Sequence, residues 1–303
     1  MNGVTELGYL GIGVSDTDAW RRYAAEVVGM QVVEDTDRDQ FSLRMDLWHH
    51  RIAVHEDASD DLLYLGWRVA DADDLDAMEK RLSDAGISVR RASEEEADER
   101  KVLGLLKLED PAGNPTEIFF SPQVDAHRPF HPGRPLFGEF VTGDQGLGHC
   151  IIRQTDPQKA YEFYRLLGLS GYVEYKLRLP NGMVAQPWFM HCNARQHSLA
   201  FGFGPAPKRI NHLLIEYSNL DDLGQTHDLI REQGTKVALQ LGKHANDHAV
   251  TFYAANPSEW LVEFAWGGRS TLPQQEHYVS DIFGHNNEAE GYGVDLPLRE
   301  KPR

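Results

Sequence analysis

The chain has 303 residues, 41% hydrophobic and 10% aromatic, with a formal net charge of −17. That length suits about two domains of about 150 residues. The composition speaks against disorder, and the acidic balance against a nucleic-acid partner or an anionic membrane surface, since both need a basic face. The two cysteines, Cys150 and Cys192, give no disulfide framework and fit a reducing compartment. No secretory leader pattern and no run of about 18 apolar residues is visible, so a cytoplasmic protein is expected.

In chain order, LGYLGIGVSD (7–16) predicts a strand, and DAWRRYAAEVVGM (18–30) a helix closed at Gly29. LLYLGWRV (62–69) predicts a strand before a DDL turn and a helix closed at Gly86. EDPAGNPTEIFF (109–120) is a proline turn and a strand carrying Glu117. Residues 121–145 are rich in Pro and Gly and suggest a linker.

The order then repeats. LGHCIIRQTD (147–156) matches 7–16, and its helix DPQKAYEFYRLLGL closes at Gly168. INHLLIEYSNLDDLGQTHDLIREQGTKV (210–237) matches 62–89 and closes at Gly234. AANPSEWLVEFA (254–265) matches 109–120 and carries Glu263. Each half is therefore expected to be two βαβββ units. The fold class is α+β, with two domains at 1–125 and 140–275 and a polar tail at 276–303 laid over the surface.

Aligning the copies sets His149 against Tyr9, His212 against Tyr64 and Glu263 against Glu117. Two imidazoles and a carboxylate form the facial triad that holds a divalent metal and leaves other positions open. A histidine on a strand is more often a core or surface residue, and 14 are present. Convergence of three repeat positions carries the metal reading, while Glu117 warns that the carboxylate can exist without a metal. Cys150 follows His149 on a strand and is expected on the opposite face, as packing. His49, His50, His191 and His248 are taken as strand or surface residues.

The motifs VTGDQGLGHC (141–150), FMHCNARQHSLAFG (189–202), PKRINHLLIEY (207–217), GKHANDHAVTFY (242–253) and WLVEF (260–264) resemble the type I extradiol ring-cleavage dioxygenases of the vicinal oxygen chelate superfamily. The likeness runs over nearly the whole chain. WHHRIAVH (48–55), the 109–119 stretch and DIFGH (281–285) are most similar to the members acting on 1,2-dihydroxynaphthalene, with the 2,3-dihydroxybiphenyl members next.

The resemblance implies that each domain is an incomplete barrel of paired modules, with metal only in the C-terminal one. It implies Fe(II), with Mn(II) as the alternative, held by His149, His212 and Glu263, and O2 as co-substrate. His197 is implied as the acid–base group and His244 as the stabiliser of developing negative charge on oxygen. Tyr253 is implied as a donor to the diol, and Asn246 and Asp247 complete the HxND motif around the substrate. Phe189 and Ile151 are candidates for an apolar pocket wall, with Gly202 and Gly204 leaving room for a second ring. A small aromatic diol is the expected partner, and the family implies a homo-oligomer, often an octamer. Two other classes compete: a lyase or isomerase using the metal as a Lewis acid, and a metal-free binding protein on the same fold.

Overall fold

A computed structural model describes residues 3–35, 40–178, 182–202 and 208–292. The first half runs β1 (Glu6–Val14), α1 (Thr17–Arg22), β2 (Gln31–Asp35), β3 (Gln40–Arg44), β4 (Ile52–Glu56), β5 (Leu62–Arg68), α2 (Ala72–Asp84), β6 (Val89–Arg91), α3 (Glu94–Glu99), β7 (Val102–Glu109) and β8 (Pro115–Pro122). The second runs β9 (His149–Ile152), α4 (Pro157–Leu167), β10 (Ser170–Val173), β11 (Leu177–Arg178), β12 (Val184–Ala185), β13 (Trp188–His191), β14 (Leu199–Phe201), β15 (Ile210–Tyr217), α5 (Leu220–Glu232), β16 (Val237–Lys243), β17 (Val250–Ala255) and β18 (Leu261–Trp266).

The helices form where the sequence placed them. Asp16 accepts from the amide of Ala19, and Asp156 from Gln158 and Lys159, capping α1 and α4. Gly29 and Gly168 close the matching helices with φ of 93° and 105°, which a side chain would resist. Past Arg22, α1 continues as a π-helix over Tyr23–Val28. One helix escaped the sequence reading. Ser93 and Glu96 close a capping box around α3, which is too short to show periodicity.

Both halves build an eight-stranded sheet of the same order. The first is β2-β3-β4-β1-β5-β8-β7-β6 and the second β10-β13-β14-β9-β15-β18-β17-β16. Each joins two βαβββ modules through an antiparallel central pair, β1 with β5 and β9 with β15. The second half adds the small β11–β12 hairpin between β10 and β13.

Strand alternation gives the second sheet two unlike faces. Cys150, Ile152, Leu213, Ile215, Phe252, Ala254, Val262 and Phe264 join a single core that spans both halves. Cys150 is thus packing, as expected. His149, Ile151, His212, Leu214, Tyr253 and Glu263 alternate with them and face the other way.

The first sheet puts Tyr9, Tyr64 and Glu117 on its corresponding face. Tyr9 Oη donates to Glu117 Oε2 at 2.8 Å. Arg100 grips the same carboxylate through Nε and Nη2, both at 3.1 Å, and its guanidinium lies 3.9 Å from the Tyr64 ring centre. A guanidinium therefore offsets the charge of Glu117. Glu117→Gln should lower the unfolding free energy by about 2–4 kcal/mol, because Arg100, largely shielded from water, loses its two-pronged carboxylate partner and keeps, among the described residues, only the Glu99 carboxylate at 3.7 Å. Metal content should not change. Urea unfolding with metal analysis checks this, and loss of metal would refute a metal-free first half.

Candidate metal centre and active site

Strand register assembles the centre. Leu214 on β15 pairs with His149 on β9 and with Glu263 on β18, so those two residues flank β15 in one row. His212 lies two residues along β15, on the same face. Glu263 Oε2 is 2.9 Å from His149 Nε2 and 3.2 Å from His212 Nε2. All three residues are buried, and their donor atoms lie within 4.8 Å of one another.

The donors are prepared for a cation. His212 Nδ1 is 2.8 Å from Asn211 Oδ1, whose amide nitrogen donates to the Tyr292 carbonyl. The amide oxygen therefore takes the Nδ1 hydrogen, leaving the Nε2 lone pair free. Burial pushes His149 down to about 4, so it is neutral at pH 7. Burial alone would raise Glu263, but hydrogen bonding and attraction from His149, then His212 and His244, hold it well below the usual carboxylate range. A charged carboxylate beside two imidazole nitrogens fits a divalent ion.

Two further histidines flank this triad. His197, in the turn between β13 and β14, stacks on His149 with ring centres 3.9 Å apart. Burial, then repulsion from His149, holds it well below the ordinary histidine value. Phe189 meets its ring edge-on at 4.8 Å and packs with Ile151, Ala200 and Tyr175 as an apolar wall. His244 follows β16. Its Nε2 lies 2.8 Å from Tyr253 Oη and 3.1 Å from Glu263 Oε1, and its Nδ1 3.0 Å from Asp281 Oδ1. Burial works against charge on His244, yet Asp281 outweighs it and raises the pKa well above the usual value.

Asn246 and Asp247 stand behind this layer. Asn246 donates to Glu174 and accepts from Tyr175 Oη, while Asp247 accepts from the amide of Ala249. Asn246 is thereby tied into the wall. Gly202 has a backbone reason to be glycine. Its φ of 92° calls for glycine, and an added Cβ would meet Trp188 and Pro187 rather than the apolar wall. Gly204 lies outside the described residues. His50, expected on a strand or the surface, is buried beside Tyr9.

The tail also differs from expectation. Residues beyond 276 do more than cover the surface, because Asp281 bridges His244 and His285, and His285 Nε2 lies 2.8 Å from Thr251 Oγ1. Residues 293–303 lie outside the described part. Sequence reasoning missed Asp281, His285, Tyr175, Glu174 and Gln196 as parts of the site. The Asp–His spacing in DIFGH was the one signal available. Two other groups could converge on a cation: His149, His197 and Asp247, and His244, Asp281 and His285. In the latter, Asp281 is already shared by both imidazoles.

Comparison with known proteins follows the same lines. Residues 7–56 match the family described as dihydroxybiphenyl dioxygenase BphC D1, and residues 146–264 the glyoxalase/bleomycin resistance protein/dioxygenase superfamily. The chain is 65% identical to 1,2-dihydroxynaphthalene dioxygenase of Sphingobium xenophagum, over 98% of this chain and 100% of that one. It is also 65% identical to biphenyl-2,3-diol 1,2-dioxygenase of Sphingomonas paucimobilis, with the same coverage. A crystal structure of catechol 2,3-dioxygenase superposes with a TM-score of 0.97 at 63% identity, covering 99% of this chain and 100% of that one.

Manganese(II) added to the metal-free chain should raise its unfolding temperature, since binding at 100 times Kd contributes about 2.7 kcal/mol. His149→Ala, His212→Ala and Glu263→Ala should each abolish the shift. A normal shift in any one of them, read by thermal unfolding and metal analysis, removes that residue from the ligand set.

Proposed function

The chain belongs to the extradiol dioxygenases of the glyoxalase/bleomycin resistance protein/dioxygenase superfamily, and from that premise we propose that it cleaves a bicyclic aromatic vicinal diol, 1,2-dihydroxynaphthalene, in the breakdown of aromatic hydrocarbons. The observation that carries the reading is a buried His149–His212–Glu263 set with His197 stacked directly on it. One relative at 65% identity bears the dihydroxynaphthalene name and another at 65% the biphenyl-2,3-diol name, so 2,3-dihydroxybiphenyl is the second reading.

His149, His212 and Glu263, in the 140–275 half, would hold Fe(II); the same donors suit Mn(II). When bound, the metal acts as a Lewis acid that eases ionisation of the diol and brings it together with O2. His197 accepts a proton from a diol hydroxyl, and the same nitrogen returns it during ring opening. Neutrality at pH 7 suits that role. Tyr253 Oη donates to a diol oxygen. His244, held in its charged form by Asp281, offsets negative charge as it develops on oxygen. Phe189 and Ile151 cover the rings and exclude water, and Asn246 and Asp247 brace the wall. Cleavage falls beside the diol, and both oxygen atoms enter the product. Family membership supports a homo-oligomer. A cytoplasmic setting fits the chain, in which no described helix is long and apolar enough to cross a membrane.

Turnover of 1,2-dihydroxynaphthalene, 2,3-dihydroxybiphenyl and catechol tests the substrate. Burying a second ring should favour the bicyclic diols by about 5- to 150-fold in kcat/KM. Equal values for catechol would refute that preference. His197→Phe should keep its metal and lose about 10²–10⁴-fold in kcat, least for diols that ionise readily. Metal loss would make His197 structural, and full turnover with every diol would remove it from the mechanism.

A further inference from the structure

His197 Nδ1 lies 2.6 Å from Gln196 Oε1. An amide oxygen only accepts, so this contact requires a hydrogen on Nδ1 and leaves the lone pair on Nε2, across the ring. The amide could instead turn its NH2 toward the imidazole, which would select the other tautomer. Glu174 prevents that turn. Gln196 Nε2 donates to both of its oxygens, at 2.9 and 2.8 Å. Asn246 Nδ2 donates to Glu174 Oε2 at 3.1 Å and fixes the carboxyl in turn. All four side chains are buried.

Burial raises Glu174 to about 7, but a protonated carboxyl keeps a carbonyl acceptor for the amide. The orientation therefore does not need the ionised form. The arrangement also differs from the one around His244, where the Asp281 carboxylate touches the ring directly. An interposed amide sets a tautomer without placing a negative charge beside the imidazole.

We infer that Gln196, held by Glu174, is a positioning pair that fixes His197 as the Nδ1–H tautomer and keeps Nε2 as its proton-accepting atom. This rests on His197 being the base of the proposed reaction. A base with its hydrogen on the wrong nitrogen presents a donor to the diol and cannot take its proton. Neither Gln196 nor Glu174 need touch substrate.

The test reads the metal-free and the iron-loaded protein. Nitrogen NMR of 15N-histidine-labelled, metal-free chain, with the His197 signals identified by their loss in His197→Phe, should show the Nδ1–H tautomer. In Glu174→Leu, which removes both acceptor oxygens and frees the amide to turn, both tautomers should appear. With iron bound, Glu174→Leu and Gln196→Met should lower kcat by about 10- to 100-fold, less than removal of the base itself. Metal content and KM should stay within about two-fold, since neither residue is among the proposed ligands and the pair acts through the His197 ring. In a His197→Phe background, Gln196→Met should cost nothing further, because its effect passes through that ring. An Nε2–H tautomer in the unaltered chain overturns the inference, as does an equal loss in both backgrounds. Full turnover in His197→Phe would instead overturn the base assignment, leaving the NMR result to decide the orientation.

Discussion

A carboxylate sunk between β-strands must be answered by positive charge or by donors, because an isolated ion in an apolar interior is far too costly to keep. Glu263 and Glu117 sit at corresponding places in the two sheets, exposed by only 1% and 2%. Each is met by a group delivered from the connection ahead of the next strand. Arg100 comes from between β6 and β7, and His244 from between β16 and β17. In the first half the Arg100 guanidinium, Tyr9 and the Lys107 ammonium at 3.8 Å answer the carboxylate. In the second, Glu263 faces the imidazoles of His149, His212 and His244. The protein answers the same physical demand twice, and only the second answer leaves a place for a cation.

Sheet geometry keeps that place fixed. Alternate residues of β9, β15, β17 and β18 belong to the core shared by both halves, so the strands are anchored by Cys150, Leu213, Phe252 and Phe264. A slip of one residue would drive His212 into that core and expose Leu213 to the polar face. The candidate ligands therefore inherit their precision from apolar packing on the far side of the sheet. Gly148 adds to this. An added Cβ there would run into the Leu214 carbonyl, so the backbone beside His149 approaches β15 as only glycine permits.

The two histidines beside the triad are given opposite characters by what holds them. His244 touches the Asp281 carboxylate and is stabilised as a cation. His197 touches an amide, lies against another imidazole and an aromatic edge, and stays neutral. Environments that drive like groups apart in this way suit the two roles proposed for them, proton acceptor and electrostatic stabiliser. The separation depends on chain segments far apart in sequence, since Asp281 arrives from beyond the last strand and Glu174 from beside β10.

Much of this was legible in the sequence because it is local or repeated. Helix caps at Gly29 and Gly168 follow from short-range backbone chemistry, and the βαβββ order follows from a pattern occurring twice in each half. Lining up the halves isolated His149, His212 and Glu263, because a duplicated chain supplies its own control in Tyr9, Tyr64 and Glu117. Short α3 escaped because a single turn or so carries no periodicity. Gly202 answers a backbone demand, a φ of 92°, that composition does not reveal. Gln196 and Glu174 could not be placed from sequence at all, and for Asp281 the DIFGH spacing was the one signal. Their roles are hydrogen bonds between distant segments, and which atom of an amide or imidazole faces which partner is decided only when the fold has brought those segments together.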